Sequence, residues 1–104
     1  MIISQWHVNV QFGKQKDALR IMKEWYADGV RHSNFKNTGN SRFITGYIGN
    51  SPSELIHEIE FDTVADWEAS VEAMMTPQFE KYAKELAPII VPGSHHWTVM
   101  KVVE

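Results

Sequence analysis

A switch between two hydrophobic periods is the feature of this sequence that most restricts its fold. Over Ile2 to Phe12 the apolar residues Ile2, Trp6, Val8, Val10 and Phe12 share one parity, with Ser4 as the exception. Gln5, His7, Asn9 and Gln11 occupy the other parity beside Ile3. Period two with one apolar face predicts a half-buried strand, closed by Gly13. From Lys14 to about His32 the period changes, and Ala18, Leu19, Met22, Trp25, Tyr26, Gly29 and Val30 recur every three or four residues. That spacing predicts an amphipathic helix of about five turns, with Gly29 either inside it or at its C-terminal end.

Ser33 to Asn40 reads as a loop, rich in Asn with Ser, Thr and Gly. Two strands follow, Arg42 to Gly49 and Ser53 to Phe61, joined across the turn signal Gly49-Asn50-Ser51-Pro52. In the second of them Leu55, His57, Ile59 and Phe61 share one face, and Glu54, Ile56, Glu58 and Glu60 the other. Thr63 is placed to cap a helix, with Asp66 three residues on, close to a capping box. Val64, Trp67, Val71, Met74 and Met75 form its expected buried stripe. Thr76-Pro77 restarts a helix whose apolar face is Phe79, Tyr82, Ala83 and Leu86, and Pro88 closes it. A last strand is expected over Ser94 to Val103. The order βαββαβ predicts an α+β, ferredoxin-like fold, a four-stranded antiparallel sheet with helices on one face, as one domain over residues 1–104.

Composition narrows the function classes. The chain has 104 residues, 43% of them hydrophobic and four of them Trp, enough apolar material for a packed core. Net charge is -3 and the Lys and Arg are scattered, so no basic stripe is available for a phosphate backbone and nucleic acid is not an expected partner. The absence of Cys excludes disulfides, thiolate metal sites and a Cys nucleophile, and suits a reducing cytoplasm, the expected compartment. The first residues turn polar quickly, unlike a signal peptide, and no apolar run approaches the ~18–20 residues that span a bilayer. Walker, dinucleotide, G-x-S-x-G and H-E-x-x-H motifs are absent, so no cofactor is expected.

Helices on one face leave the other face of the sheet uncovered. By parity it carries Ile3, Gln5, His7, Asn9 and Gln11, then Ile56, Glu58 and Glu60, and either His95, Trp97 and Val99 or His96, Thr98 and Met100. This mixture of apolar residues, His and carboxylates favours packing against a second copy, with Gln5, Asn9, Glu58 and Glu60 in the interface of a two-fold homodimer.

The run from Glu58 to Glu68 (Glu-Ile-Glu-Phe-Asp-Thr-Val-Ala-Asp-Trp-Glu) resembles the strand-to-helix junction of the dimeric α/β-barrel superfamily. Met75-Thr-Pro-Gln-Phe79 resembles its second-helix break, and Pro92-Gly-Ser-His-His-Trp97 its closing-strand entry. NIPSNAP-like and antibiotic-biosynthesis-monooxygenase-like proteins have this pattern. The resemblance implies two sheets forming a barrel across a dimer, with a ligand cavity between each sheet and its helices. It also implies a range of activities: cofactor-independent oxygenation of aromatic polyketides, haem degradation, isomerisation or dehydration of small molecules, and none known. The Asn, Trp and His trio of the haem-degrading members has no match in position here, so haem chemistry is not carried over. Such motifs speak to fold more than to activity.

The candidate catalytic residues are His57 and His7. His7, Glu58 and His96 meet on the open face if the register allows, as a general base beside a carboxylate, a metal site, or a network that joins subunits. His57 shares the helix-covered face with Leu55 and Ile59, either as a core residue or as a neutral base lining a cavity. Trp6, Trp25, Trp67, Phe79 and Tyr82 either fill a core or wall a pocket for a flat aromatic ligand. Two functions follow. One is a homodimeric small-molecule protein, an oxygenase or isomerase acting on a small aromatic or polyketide-like compound. The other is a non-catalytic dimeric binding module.

Overall fold

The computed structural model describes residues 1–32 and 38–103. Strand β1 (Ile2–Asn9) leads into helix α1 (Gln15–His32), followed by β2 (Thr38–Thr45) and β3 (Glu54–Phe61). Helix α2 (Val64–Met74), a 3-10 turn at Pro77–Phe79, helix α3 (Glu80–Leu86) and strand β4 (His96–Lys101) complete the chain. The strands pair in the order β2-β3-β1-β4, every neighbouring pair antiparallel. This is the α+β, ferredoxin-like sheet that the alternation of periods predicts.

Parity does the sorting. Ile2, Ser4 and Val8 of β1 and Leu55, His57, Ile59 and Phe61 of β3 are buried under the helices, whose contributions include Ala18, Ile21, Met22, Phe79 and Leu86. Each such aliphatic or aromatic side chain removed from water contributes on the order of 1.5–3 kcal/mol. The buried residues form two clusters, one around Val8, Ile21, Leu55 and Phe79, the other around Ile2, Ile59 and Phe61. Gly29 lies inside α1 and is buried, where the thioether of Met74 fills the space a Cβ would take.

Several boundaries differ from the sequence reading. β1 ends at Asn9, because its partners run out there, and Phe12, expected inward, is fully exposed. β2 begins at Thr38 and ends at Thr45, earlier than the expected Arg42 to Gly49; residues 33–37 of the expected loop lie outside the described residues. Tyr47 and Ile48, apolar enough to extend the strand pattern, stand exposed in the connection to β3. Thr63 caps α2 by accepting the N–H of Asp66 at 3.1 Å, and its hydroxyl donates to the Asp66 carboxylate at 2.9 Å. Val64 and Met75 of the expected buried stripe are exposed instead, and Ser70 is the residue that α2 buries completely. Thr76 makes no side-chain cap; its hydroxyl turns back to the Ala73 carbonyl at 2.9 Å, while Pro77 opens the 3-10 turn.

The register of β4 settles which of its faces is covered. Trp97 pairs with Trp6, Thr98 with Gln5 and His96 with His7. Directly opposed residues share a face, so Trp97 and Val99 lie on the helix side and His96, Thr98 and Met100 on the open side. Among the described residues no helix is long and apolar enough to cross a membrane.

Candidate functional site

The two core clusters do not close on each other. Between the covered face of the sheet and the helices lies a cavity of about 320 Å³, walled by Met22 and Leu86 from one cluster and Ile59 and Phe61 from the other. That volume is at the lower end of the ~300–1,000 Å³ typical of small-molecule sites. All four Trp of the chain contribute to the wall, from four different elements: Trp6 on β1, Trp25 on α1, Trp67 on α2 and Trp97 on β4.

These indoles touch one another in series. Trp25 meets Trp6 edge-on at a centroid separation of 6.0 Å, Trp6 stacks on its cross-strand neighbour Trp97 at 5.9 Å, and Trp97 meets Trp67 edge-on at 5.7 Å. Pairs of this geometry add about 0.5–1.5 kcal/mol each beyond their burial. Trp25 is pinned further by an indole N–H bond to the Met74 carbonyl at 3.3 Å. The indole N–H of Trp67, in contrast, is buried with no hydrogen-bond partner among the described residues.

The wall contains no Asp, Glu, Lys or Arg among the described residues. Its polar side chains are Ser4, whose hydroxyl is spent on the Ile59 carbonyl at 3.3 Å, the phenol of Tyr26, His57, and His95. His57 is the chemically informative one. Phe43 stacks on its ring at 4.1 Å, Tyr26 meets it edge-on at 4.6 Å, and Nε2 lies 2.9 Å from Ser41 Oγ. Burial among these groups pushes the imidazole down from 6.5 to about 4, because the charged form loses its hydration. His57 is therefore neutral at pH 7.

Phe79 and Tyr82 stand behind this wall rather than in it. Phe79 is fully buried in the larger cluster. Tyr82 stacks on Trp25 at 6.0 Å and donates its hydroxyl to Asp28 at 2.8 Å. Burial first, and the Asp28 carboxylate second, push its phenol up to about 12.

His7 is on the other side of the sheet. Trp6 pairs with His57, so the next residue, His7, faces the open side opposite Ile56. Its ring stacks on His96 at 4.4 Å, Nε2 lies 3.0 Å from Thr98 Oγ1, and Nδ1 is 3.8 Å from the Glu54 carboxylate. Of the expected trio His7, His96 and Glu58, the first two do meet. Glu58 takes other partners: Gln5 donates to it at 2.8 Å and Arg42 at 2.5 Å. The Gln5 bond first, with Arg42 adding against an opposing effect of burial, holds the Glu58 carboxyl below its usual range. Glu60 accepts the Asn40 N–H at 3.2 Å, and Asn9 lies exposed at the strand end. Among the described residues no group of three or more His, Asp or Glu is arranged to hold a metal ion.

The sequence reading missed Ser41, because β2 was expected to begin at Arg42, and it left Trp97 unassigned to a face. Both residues reach the site through cross-strand pairing: Ser41 opposite Ile59, Trp97 opposite Trp6. The alternation Ser41, Phe43, Thr45 is the one local signal that places Ser41 on the covered face.

No family model matches the sequence. No curated protein matches it either. Solved structures do. An uncharacterized NIPSNAP domain protein from Burkholderia xenovorans superposes with a TM-score of 0.74 at 12% identity, covering 99% of this chain and 95% of the other. A candidate antibiotic biosynthesis monooxygenase from Nitrosomonas europaea gives 0.73 at 10% identity, with 100% of both chains covered. SnoaB, a cofactor-independent oxygenase from Streptomyces nogalater, gives 0.70 at 9% identity, covering 99% of this chain and 93% of its own. At such identities the likeness is one of fold, and the chain has the ferredoxin-like α+β fold that antibiotic biosynthesis monooxygenase-type and NIPSNAP proteins share.

Proposed function

We propose that this protein binds an uncharged, flat aromatic molecule in the cavity beneath its helices. One observation carries the reading: every Trp in the chain lines a single cavity whose wall, among the described residues, holds no Asp, Glu, Lys or Arg. Desolvating an ion there without a partner would cost several kcal/mol, whereas indole faces favour a planar π-system by stacking. The likeness in fold to SnoaB, a cofactor-independent oxygenase, supports oxygenation or isomerisation of a small aromatic or polyketide-like compound as the chemistry. His57 is then the polar group that meets the ligand, with Trp6, Trp25 and Trp67 positioning it.

The test is a titration of neutral two- and three-ring aromatics against the intrinsic Trp emission. Val71→Trp, which fills the cavity from α2, should abolish binding while the fold persists. Oxygen uptake with hydroxylated anthrones in metal-depleted buffer then reads catalysis, with His57→Gln and His7→Gln compared separately. Absence of any binding sinks the reading, and turnover unchanged in both variants removes the histidines from it.

A second reading rests on the open face. There Arg42, Glu58, Gln5, Thr98, His7 and His96 form one continuous chain of polar and stacking contacts across all four strands. We infer that this face joins two copies in a homodimer. In a purely non-catalytic module, changing Glu58 would cost the dimer and leave no activity to lose.

A further inference from the structure

Three connections gather at one end of the sheet: residues 10–14 between β1 and α1, 46–53 between β2 and β3, and 87–95 between α3 and β4. Register puts the first two together, since Asn9 pairs with Glu54 and Thr45 with Leu55 at the last rungs of the ladder. Backbone bonds tie in the rest. Val10 N–H donates to the Ser53 carbonyl at 2.8 Å, Gln11 N–H to the Ile89 carbonyl at 2.9 Å, and Val91 N–H to the Asn9 carbonyl at 2.8 Å. Gln15, at the start of α1, donates to the Thr45 hydroxyl at 3.0 Å.

These connections hold large apolar side chains in solvent. Phe12 is fully exposed, Tyr47 is 89% and Ile48 88% exposed, and Val91 is partly exposed beside them. Gly13 and Gly49, directly after Phe12 and Ile48, turn the chain at φ of +79° and +88°, and a Cβ on either would meet nothing within 4 Å. The two tips therefore stand clear of the remaining structure. Single exposed apolar residues are ordinary on any protein, whereas three at one end mark a contact surface.

Charge is sorted in the same sense. None of the chain's 13 Asp and Glu falls in these connections, although the net charge is -3. Lys14 lies in the first of them and Lys16 in the first turn of α1, both exposed. The acids next in sequence are Asp17, on α1, and Glu54, whose carboxylate is 3.8 Å from His7 Nδ1. A protein partner of ordinary size requires about 1,200–2,000 Å² of fitted surface with its anchors seated in pockets. Separate side chains on projecting tips do not offer that. A lipid headgroup layer requires no matching shape: aromatic rings settle in it, aliphatic groups reach the acyl boundary, and Lys attracts anionic headgroups.

We propose that this end of the molecule docks on the surface of an anionic lipid bilayer, with Phe12, Tyr47 and Ile48 entering the headgroup layer and Lys14 and Lys16 meeting its phosphates. The contact is peripheral, since no helix among the described residues is long and apolar enough to cross a membrane. None of the five residues lines the Trp cavity or lies on a strand, so the proposal stands apart from both the cavity and the dimer readings.

The experiment is co-sedimentation of the full chain with vesicles of phosphatidylcholine alone and of phosphatidylcholine with about one-third phosphatidylglycerol. Wild type should sediment with the anionic vesicles, and less so when salt is raised to about 0.5 M. Phe12→Ser with Tyr47→Ser and Ile48→Ser should weaken that binding at least about tenfold, because apolar burial is lost. Lys14→Gln with Lys16→Gln should weaken it about tenfold through lost charge. Val64→Ser with Val103→Ser removes exposed apolar groups at the opposite end and should leave binding unchanged. The substituted side chains are exposed, and far-ultraviolet circular dichroism confirms that each variant folds. Failure of wild type to bind anionic vesicles overturns the proposal, as does equal binding by the Phe12, Tyr47 and Ile48 variant. A change of oligomeric state in that variant without vesicles, read by light scattering, overturns it in favour of a second copy at these loops.

Discussion

The side chain of Met74, on α2, occupies the volume that a Cβ on Gly29 of α1 would need. Both residues border the same region, since Met74 also lines the cavity. A Gly inside α1 thus has a steric reason at position 29, although Gly in a helix interior costs about 1 kcal/mol relative to Ala. Gly29→Ala gains that helix propensity and forces the flexible end of Met74 to move. We expect stability to change by less than about 1 kcal/mol while ligand affinity falls, because Met74 is displaced toward the cavity. Urea melts and the aromatic titration check this together, and Gly29→Ala with Met74→Ala should recover binding. A large loss of stability in Gly29→Ala would show instead that the helices are driven apart.

Ser70 is 1% exposed and its hydroxyl has no hydrogen-bond partner among the described residues. A buried, unpaired hydroxyl costs about 1–3 kcal/mol, and Ala is the better helix former. Ser70→Ala should therefore raise stability by about 1 kcal/mol, seen as a higher urea midpoint with an unchanged slope. A lowered midpoint would mean that Ser70 finds a partner in solution, such as an ordered water.

The lowered pKa of His57 makes stability depend on pH over a defined window. The unfolded chain takes up a proton near pH 6.5 and the folded chain only near about 4. Between these values the unfolded state binds more protons, so stability is full above about pH 6.5 and declines as pH falls toward 4. The loss is on the order of 3 kcal/mol at most. His57→Phe should flatten the urea midpoint against pH across that window, leaving the carboxylate-driven decline below it. An equally steep decline in the variant would assign the effect to other groups.

On the open face, Ile56 stands opposite His7 on one side and Ile44 on the other, beside the Glu58–Arg42 pair. If this face joins two copies, Ile56→Asp places a charge in the interface and should convert a dimer to monomer by light scattering, with the far-ultraviolet circular dichroism retained. Glu58→Ala should weaken the dimer by a smaller factor, since Arg42 and Gln5 each lose a partner. A wild type that is monomeric at high concentration would refute the interface directly.

Period and parity made the element order and the faces of the central strands legible. His57, Leu55 and Ile59 lie under the helices, and Gln5, His7 and Glu58 on the open side, because successive strand residues must point to opposite faces. Thr63 and Asp66 marked the start of α2 through local hydrogen bonding alone. Where pairing partners set the outcome, local pattern misled. Phe12 continues the alternation of β1 but has no strand beside it, and Tyr47 and Ile48 look like strand residues yet lie in a connection.

Thus the chain's own periodicity determined an α+β sheet with one helix-covered face, and so placed His57 and three of the four Trp within reach of one another. Only the tertiary structure decided that these groups surround a space instead of filling it. The register of β4 brought Trp97 onto Trp6, the register of β2 brought Ser41 to His57, and the two core clusters stopped short of meeting. The physical reason is that apolar side chains at the same spacing serve a solid core or a hollow one equally well. The difference lies in how far apart the packed elements hold them, and no single segment of sequence carries that distance.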